Sequence, residues 1–201
     1  PVCANISHSY EYGYTAGKLA ADWLNTNCSA SQTVACALLT KPQSLAVIDR
    51  ANGIIEGLRE NCTFAQIVAT KPYSDQASAR EMTEQMMREH PKIRCIVGVS
   101  DMSILGAYDA LEAMNLLNEE MFLVGIDASA PVLKKIQEGT VIRGSVSQDT
   151  KGFAEVTIHA AIAAIQGNPL PESSIKIEAV TMENVAAYLQ AEAASHSTPA
   201  S

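Results

Sequence analysis

The chain has 201 residues, of which 47% are hydrophobic, and it carries a formal net charge of −8. This size and composition suffice for one large or two small globular domains with a full core. The acidic balance and the lack of a Lys/Arg cluster argue against nucleic acid as a partner, because phosphates require a basic surface. Small neutral molecules and proteins are the better candidates. No apolar run in the sequence reaches the length of a membrane span.

The first predicted elements are a short apolar strand over Pro1–Ile6 and a helix from about Tyr10 to Asn25. Gly13 and Gly17 are four residues apart in this helix, which allows the backbone of a neighbouring element to approach closely. The chain starts inside a strand and without Met, so we interpret it as a fragment whose front end is missing. Its location in the cell therefore cannot be read from this terminus.

The next unit is a strand from Thr33 to Leu39, followed by a loop that ends at Ser44 and a helix to about Glu60. Arg50 lies on the buried side of this helix, three residues after Val47. Its side chain is expected to lean back toward the helix N-terminus, at the edge of the sheet. A half-buried Arg needs a partner. An internal salt bridge and a donor fork for a polar ligand are both open at this point.

Three further strand-helix units and then a fifth strand follow. Strands are predicted over 64–70, 93–99, 120–126 and 140–146, with helices over about 75–90, from 101 onward, and over 131–138. Ile93–Val99 is apolar along nearly its whole length, as is typical of a strand buried on both faces of a parallel sheet. Asp101 is predicted to be the N-cap of the helix that follows.

The alternation predicts an α/β fold with a doubly wound, Rossmann-like parallel sheet. In such sheets, ligands bind at the carboxyl ends of the strands. Most of the polar residues without another explanation follow these ends: Ser44, Arg50, Tyr73, Ser74, Ser100, Asp101, Asp127 and Gln148. We therefore expect them to meet at one edge of the domain.

The pattern changes after Gln148. The helix predicted over Gly152–Gln166 is apolar over more than one face, so it is expected to pack against a second body. A strand over Ile175–Val180 and a short helix over Met182–Gln190 follow. Ala191–Ser201 is a tail of small residues for which we expect disorder.

Five cysteines leave at least one thiol unpaired. Cys36 and Cys95 fall inside predicted strands and are expected in the core. Cys28 and Cys62 each precede a strand at the same end of the sheet, so a disulfide between them is geometrically possible. No Cys or His spacing indicates a metal site.

Six motifs, in order, resemble the periplasmic-binding-protein type I family, the ribose/galactose group of bacterial solute-binding proteins. They are Tyr12–Ala21 (YGYTAGKLAA), Arg50 with Gly53, Ser100-Asp101 before Leu105-Gly106-Ala107, Val124–Asp127 (VGID), Ile136–Gly139 (IQEG), and Ser147-Gln148 before Gly152. In this family, two lobes close over a ligand through a three-strand hinge. The resemblance implies a hinge strand over 1–9, a C-terminal ligand-binding lobe over 10–150, and crossings over 151–190 back to an N-terminal lobe that the chain lacks.

The resemblance also implies a ligand site. Arg50 and Asp127 are similar to the charged pair that binds ligand hydroxyls, and Ser44 and Gln148 occupy positions of polar contacts. Ser100 stands where the family usually has Asn. Ser74 stands at the usual stacking aromatic, with Tyr73 one residue early, so a smaller polyol or a furanose fits the pattern better than a plain pyranose.

The function that the resemblance implies is the binding of a small polar ligand, a sugar or polyol, for ABC-type import or for sensing. The protein would work in the periplasm or lipid-anchored outside the cell, with a membrane permease or a sensor as partner. No catalytic set, cofactor or phosphate loop is expected. The alternative is the effector-binding domain of a LacI-type repressor, which shares the fold and would be cytoplasmic; a Cys28–Cys62 disulfide would argue against it. A third possibility is an input lobe fused to a receptor or an enzyme.

Overall fold

The computed structural model describes residues 8–169 and 176–196. Its core is one six-stranded sheet in the order β2-β1-β3-β4-β5-β6. The first five strands are parallel and β6 runs antiparallel to β5. The strands are β1 (Val34–Thr40), β2 (Ala65–Pro72), β3 (Ile93–Gly98), β4 (Phe122–Ile126), β5 (Ile142–Gln148) and β6 (Ile177–Val180). The predicted doubly wound sheet is therefore confirmed, and the strand predicted for Pro1–Ile6 lies outside the described residues.

Seven helices accompany these strands in the part of the chain that the structure describes. They are α1 (Ser9–Asn27), α2 (Leu45–Asn61), α3 (Gln76–Glu89), α4 (Asp101–Ala113), α5 (Ala130–Gln137), α6 (Thr150–Gln166) and α7 (Val185–His196). α1 packs on α2, and α3 packs on α4. Successive residues of β3 and β4 are buried on both faces, as predicted from their apolar sequences. None of the described helices has the length and apolar character needed to cross a membrane.

α1 and α2 meet through glycines, so their backbones touch. A Cβ atom at Gly13 would lie 1.9 Å from the carbonyl oxygen of Arg50, and one at Gly17 would lie 2.2 Å from that of Ile54. Gly53 makes the reciprocal contact with the backbone of Tyr10. The predicted close approach at Gly13 and Gly17 is thus confirmed. These contacts determine the position of α2 along the axis of α1.

Two boundaries differ from the sequence predictions. Ser100, not Asp101, is the N-cap of α4, and Asp101 is the first helical residue. α7 begins at Val185 and continues to His196, so the tail expected to be disordered from Ala191 is helical over its first six residues. Short side chains such as Ala have high helix propensity, and this outweighs their lack of core-forming surface.

The cysteines and α6 complete the comparison. Cys28 and Cys62 are free thiols, so the disulfide is not formed, and Cys36 and Cys95 are buried as expected. α6 exposes large apolar side chains, namely Phe153, Ile158, Ile162 and Ile165. This exposure agrees with a helix whose apolar surface needs a further body, and the division into hinge, lobe and crossings stays a prediction.

Candidate ligand-binding site

The carboxyl ends of β1 to β5, with the residues that follow them, form one edge of the sheet, which we call the rim. The chain runs from β1 outward to β2 and then returns to place β3 on the other side of β1. This reversal is a topological switch point, where the loops after β1 and β3 diverge and leave a crevice. The rim between β1 and β4 is therefore where a ligand site is expected.

Arg50 reaches the rim from α2. Its Nη1 atom donates to the carbonyl oxygen of Val99 at 2.8 Å and lies 3.7 Å from Oδ1 of Asp127. The guanidinium also lies 5.8 Å from the ring centroid of Tyr12. The side chain is only 13% exposed, and its buried Nε has no hydrogen-bond partner among the described residues. Arg50 thus makes an internal ion pair, and the described contacts do not use all five of its N–H donors.

Asp127 follows β4 directly, opposite Arg50. Its Oδ1 accepts from Nε2 of Gln148, at the end of β5, and its Oδ2 accepts from the backbone N–H of Asp101 at 3.4 Å. The side chain remains 38% exposed. Desolvation raises the pKa of the Asp127 carboxyl above its usual range, and the Arg50 guanidinium opposes this rise. The predicted residues Arg50, Asp127 and Gln148 therefore lie together.

The loop that carries Asp127 has an unusual backbone. Asp127 and Ala128 have φ angles of 136° and 50°, in the region that non-glycine residues rarely adopt. Such conformations cost free energy and persist only where the surroundings impose them, which is most often at functional sites. The backbone conformation and the position of the charged side chains thus both indicate that this loop belongs to the candidate site.

Tyr73 and Ser100 form a second pair at the rim. The Tyr73 hydroxyl and Ser100 Oγ are 2.6 Å apart. The Tyr73 side chain is only 3% exposed, and its burial raises the pKa of the phenol. Its ring faces cannot stack on a ligand in this conformation. Ser100 stays partly exposed, next to Val99, whose carbonyl oxygen accepts from Arg50.

Ser44 and Ser74 lie at the exposed side of the rim. Ser44 is the N-cap of α2 and makes no side-chain capping bond. The Ser74 hydroxyl bonds to Asp75 and Ser78, at the start of α3. Among the described contacts, neither serine bonds to Arg50 or Asp127. Their role in binding ligand stays a prediction.

Asp101 was predicted as a helix cap, and this assignment is wrong. Its side chain is 2% exposed and points across the sheet to β5 and the loop before α5. Burial raises the pKa of the Asp101 carboxyl to about 6, although bonds from Ser145 and Ser129 oppose the rise. The only signal for Asp101 in the sequence was its place after a fully buried strand.

The rim combines a guanidinium, a carboxylate, a carboxamide and a hydroxyl. A sugar hydroxyl donates and accepts at once, so paired donors and acceptors suit polyhydroxylated molecules. No group of three His, Cys, Asp or Glu side chains within the described ranges could hold a metal ion. Cavities of about 430 and 450 Å³ lie away from the rim, at the amino ends of β1 and β3 and beside Trp23. Neither of these two cavities is lined by Arg50, Asp127 or Gln148.

The chain matches a family described as "Periplasmic binding protein domain" over residues 2–169. Three solved structures share its fold. A solute-binding protein of an ABC transporter from Bacillus halodurans C-125, with bound myo-inositol, is 27% identical with a TM-score of 0.78, over 90% of this chain and 61% of that one. A protein from Mycobacterium smegmatis in complex with β-D-fucofuranose is 23% identical with a TM-score of 0.80, over 94% and 62%.

The third structure is a periplasmic solute-binding protein of an ABC transporter from Actinobacillus succinogenes 130z with bound D-allose. It is 20% identical with a TM-score of 0.79, over 90% of this chain and 62% of that one. The chain thus spans less than two thirds of the length of these three structures. No curated protein sequence matches it.

Proposed function

Since this chain belongs to the periplasmic binding protein domain family, we propose that it is the lobe of a solute-binding protein that binds a sugar or polyol at the rim. The family and the similar structures are solute-binding proteins and not enzymes. The observation that carries the proposal is the pairing of Arg50 with Asp127 at the switch point, 3.7 Å apart and both at the surface of the crevice. In this proposal, Arg50 donates to ligand hydroxyls and Asp127 accepts from them.

The ligand class follows from what the rim offers. Tyr73 is buried, so its ring presents no face there for the apolar side of a pyranose ring. Polar groups then supply the specificity, and they favour a ligand with hydroxyls on all sides, such as a cyclic polyol or a furanose. The bound myo-inositol and β-D-fucofuranose in two of the similar structures support this class.

A second lobe would cover the rim. Asp127 is 38% exposed at the rim, and the exposed apolar side chains on α6, such as Ile165 at 87% exposure, need a covering body. Closure would remove water from the Arg50–Asp127 pair and strengthen its hydrogen bonds to ligand. We therefore expect the protein with both lobes to bind more tightly than residues 1–201 alone.

Family members of this kind work in the periplasm or outside the cell, and we expect the same location here. The solute-binding proteins of ABC transporters among the similar structures favour import, with a membrane permease as partner. A chemosensory partner would use the same site. Ligand uptake by cells that lack the gene would separate the two, because only an import protein is required for accumulation of labelled ligand.

The test of ligand binding is a thermal-shift screen of the protein with both lobes against myo-inositol, D-allose, arabinose and galactofuranose. A ligand at a hundred times its Kd should raise the melting temperature by about 5 °C, because it binds only the native state. Arg50→Ala and Asp127→Ala should each abolish the shift. Arg59→Ala, on the exposed face of α2, and Asp22→Ala, in an exposed ion pair on α1, are the matched controls and should retain it. A shift that survives in both rim variants would refute the site.

A further inference from the structure

Asp101 lies under the loop that carries Asp127, and its carboxylate faces that loop. Its Oδ2 accepts from the backbone N–H of Ser129 at 2.7 Å and from the Ser129 hydroxyl at 2.8 Å. Its Oδ1 accepts from the buried Ser145 hydroxyl on β5 at 2.7 Å. One carboxylate therefore ties α4, the loop and β5 together.

The tie continues through Ser145 to the strained part of the loop. Ser145 Oγ accepts from the backbone N–H of Ala128 at 3.0 Å while it donates to Asp101. The backbone N–H of Ser129 thus donates directly to Asp101, and the backbone N–H of Ala128 is linked to Asp101 through the Ser145 hydroxyl. These bonds hold the loop in which Asp127 and Ala128 have positive φ angles.

Ser129 and Gly125 also accommodate this carboxylate. Ser129 is the N-cap of α5, and its hydroxyl makes no capping bond but donates to Asp101. A Cβ atom at Gly125 of β4 would lie 2.3 Å from Asp101 Oδ1, so glycine leaves the space that the carboxylate occupies. Both features are explained if the carboxylate must lie at this point.

We propose that Asp101 is a positioning residue that holds the Asp127 carboxylate in the orientation that binds a ligand hydroxyl. Asp101 does not touch the ligand in this arrangement. The part of the proposal that concerns affinity rests on the proposed function of Asp127, whereas the part that concerns loop geometry does not.

Electrostatics agrees with this geometry. Burial raises the pKa of Asp101 to about 6, and the nearby Asp127 charge adds to the rise. Hydrogen bonds from Ser145 and Ser129 oppose this rise. A buried carboxylate kept ionised at neutral pH by three donors is expensive for stability. A positional role explains why it is present.

The experiment is amide hydrogen exchange by NMR on the protein with both lobes, with Asp101→Ala, Asp101→Asn, Gly125→Ala and a control, Thr83→Val. Thr83 is also fully buried, but it bonds only to Ala79 within α3, away from the loop. In Asp101→Ala the amides of Ala128 and Ser129 should exchange at least about tenfold faster, because their acceptors are lost or freed. Gly125→Ala should act in the same direction by displacing the carboxylate, and Asp101→Asn should have a smaller effect, since one oxygen acceptor remains.

Binding is measured on the same samples with myo-inositol as the first probe. Its Kd should rise at least about tenfold in Asp101→Ala and stay near the wild-type value in Thr83→Val. Unchanged exchange at Ala128 and Ser129 would overturn the proposal, as would an acceleration shared equally by the amides of β1, which would indicate only global destabilisation. If the loop amides respond but neither wild type nor variants bind any probe of the screen, the positional role stands and the proposed function fails.

Discussion

Arg50 and Asp127 face each other at the rim, but the protein holds them in place by different means. Arg50 is delivered by α2, whose position depends on backbone contact with α1 through Gly13 and Gly17. Asp127 lies on a strained loop, and hydrogen bonds to the side chains of Asp101 and Ser145 hold this loop in place. One charge is thus positioned by helix packing and the other by a polar network.

The difference predicts different sensitivities. Helix packing does not depend on pH or on the identity of polar groups, but it cannot accept added volume where two backbones touch. A polar network depends on protonation and on each hydrogen-bond partner. Added volume between α1 and α2 should therefore act on the Arg50 side, and changes of protonation or of hydrogen-bond partners should act on the Asp127 side.

The largest effect is expected for Gly13→Ala, which adds volume on the Arg50 side. The new Cβ would lie 1.9 Å from the backbone oxygen of Arg50, and a backbone atom cannot move aside as a side chain can. We expect a loss of about 3 kcal/mol in the free energy of unfolding, measured by urea titration. Gly167→Ala is the control. Gly167 has a φ of 70°, but a Cβ atom there would have no other atom within 4 Å. The free energy of unfolding should therefore fall by only about 1 kcal/mol, through backbone strain alone. Equal losses at the two glycines would contradict the packing argument.

The second effect is a pH dependence on the Asp127 side. Asp101 should ionise near pH 3.9 in the unfolded chain and at about 6 in the fold. Between these values the folded state retains a proton that the unfolded state has released, so the free energy of unfolding falls as pH rises. The contribution is fully present below about pH 4 and lost above about pH 6, and it amounts to roughly 2 to 3 kcal/mol.

Other carboxyls titrate over the same range, so the measurement is a difference. Urea unfolding of wild type and Asp101→Asn between pH 4 and pH 7 isolates the Asp101 contribution, with Asp22→Asn as an exposed control. We expect wild type to lose stability relative to Asp101→Asn as pH rises. Parallel curves for the two proteins would show that Asp101 is not desolvated as the structure indicates.

The same contrast explains what could be predicted from the sequence. Arg50 could be assigned to the rim because its spacing from Val47 and Ile54 is a property of a single helix. Asp127 and Gln148 could be placed because the carboxyl ends of parallel strands share one edge. The role of Asp101 could not be predicted, since its partners Ser129 and Ser145 are 28 and 44 residues away. A local pattern gives Asp before a helix a capping role, and tertiary contacts override it.

The serines and Tyr73 illustrate the second limit. The sequence placed Ser44, Tyr73 and Ser74 at strand ends, and the structure confirms this position for Tyr73, which follows β2 directly. The sequence does not determine the direction of a side chain, which depends on its rotamer and its neighbours. Tyr73 turns into the core and Ser74 turns toward Asp75 and Ser78. The meeting of Arg50 and Asp127 at the rim could therefore be predicted from the sequence, whereas the directions of the Tyr73 and Ser74 side chains could not.

A third effect, on affinity, is expected for Arg50→Lys. Lysine keeps the charge but has three donors on one atom in place of the planar five-donor fork, so it does not reproduce the geometry in which Arg50 bonds the Val99 carbonyl, faces Asp127 and donates to a ligand. We expect the Kd of the best ligand, measured by calorimetry, to rise about tenfold, with little change in stability. Arg59→Lys on the exposed face of the same helix is the control. A wild-type Kd for Arg50→Lys would mean that only the charge matters.

The smallest effect separates the two serines of the rim. Ser100 lies next to Val99 and Asp101, between the groups that hold Arg50 and Asp127, and its hydroxyl bonds to Tyr73 alone among the described side chains, which leaves a hydrogen-bonding position for a ligand. Ser100→Ala should therefore raise the Kd by about threefold through the loss of one neutral hydrogen bond. Ser74 already spends its hydroxyl on Asp75 and Ser78, at the exposed start of α3. Ser74→Ala should therefore change the Kd by less than about twofold, within the range of ordinary surface substitutions. A larger effect at Ser74 than at Ser100 would shift the ligand toward β2, and the polar network around Asp127 would then not be the side that selects it.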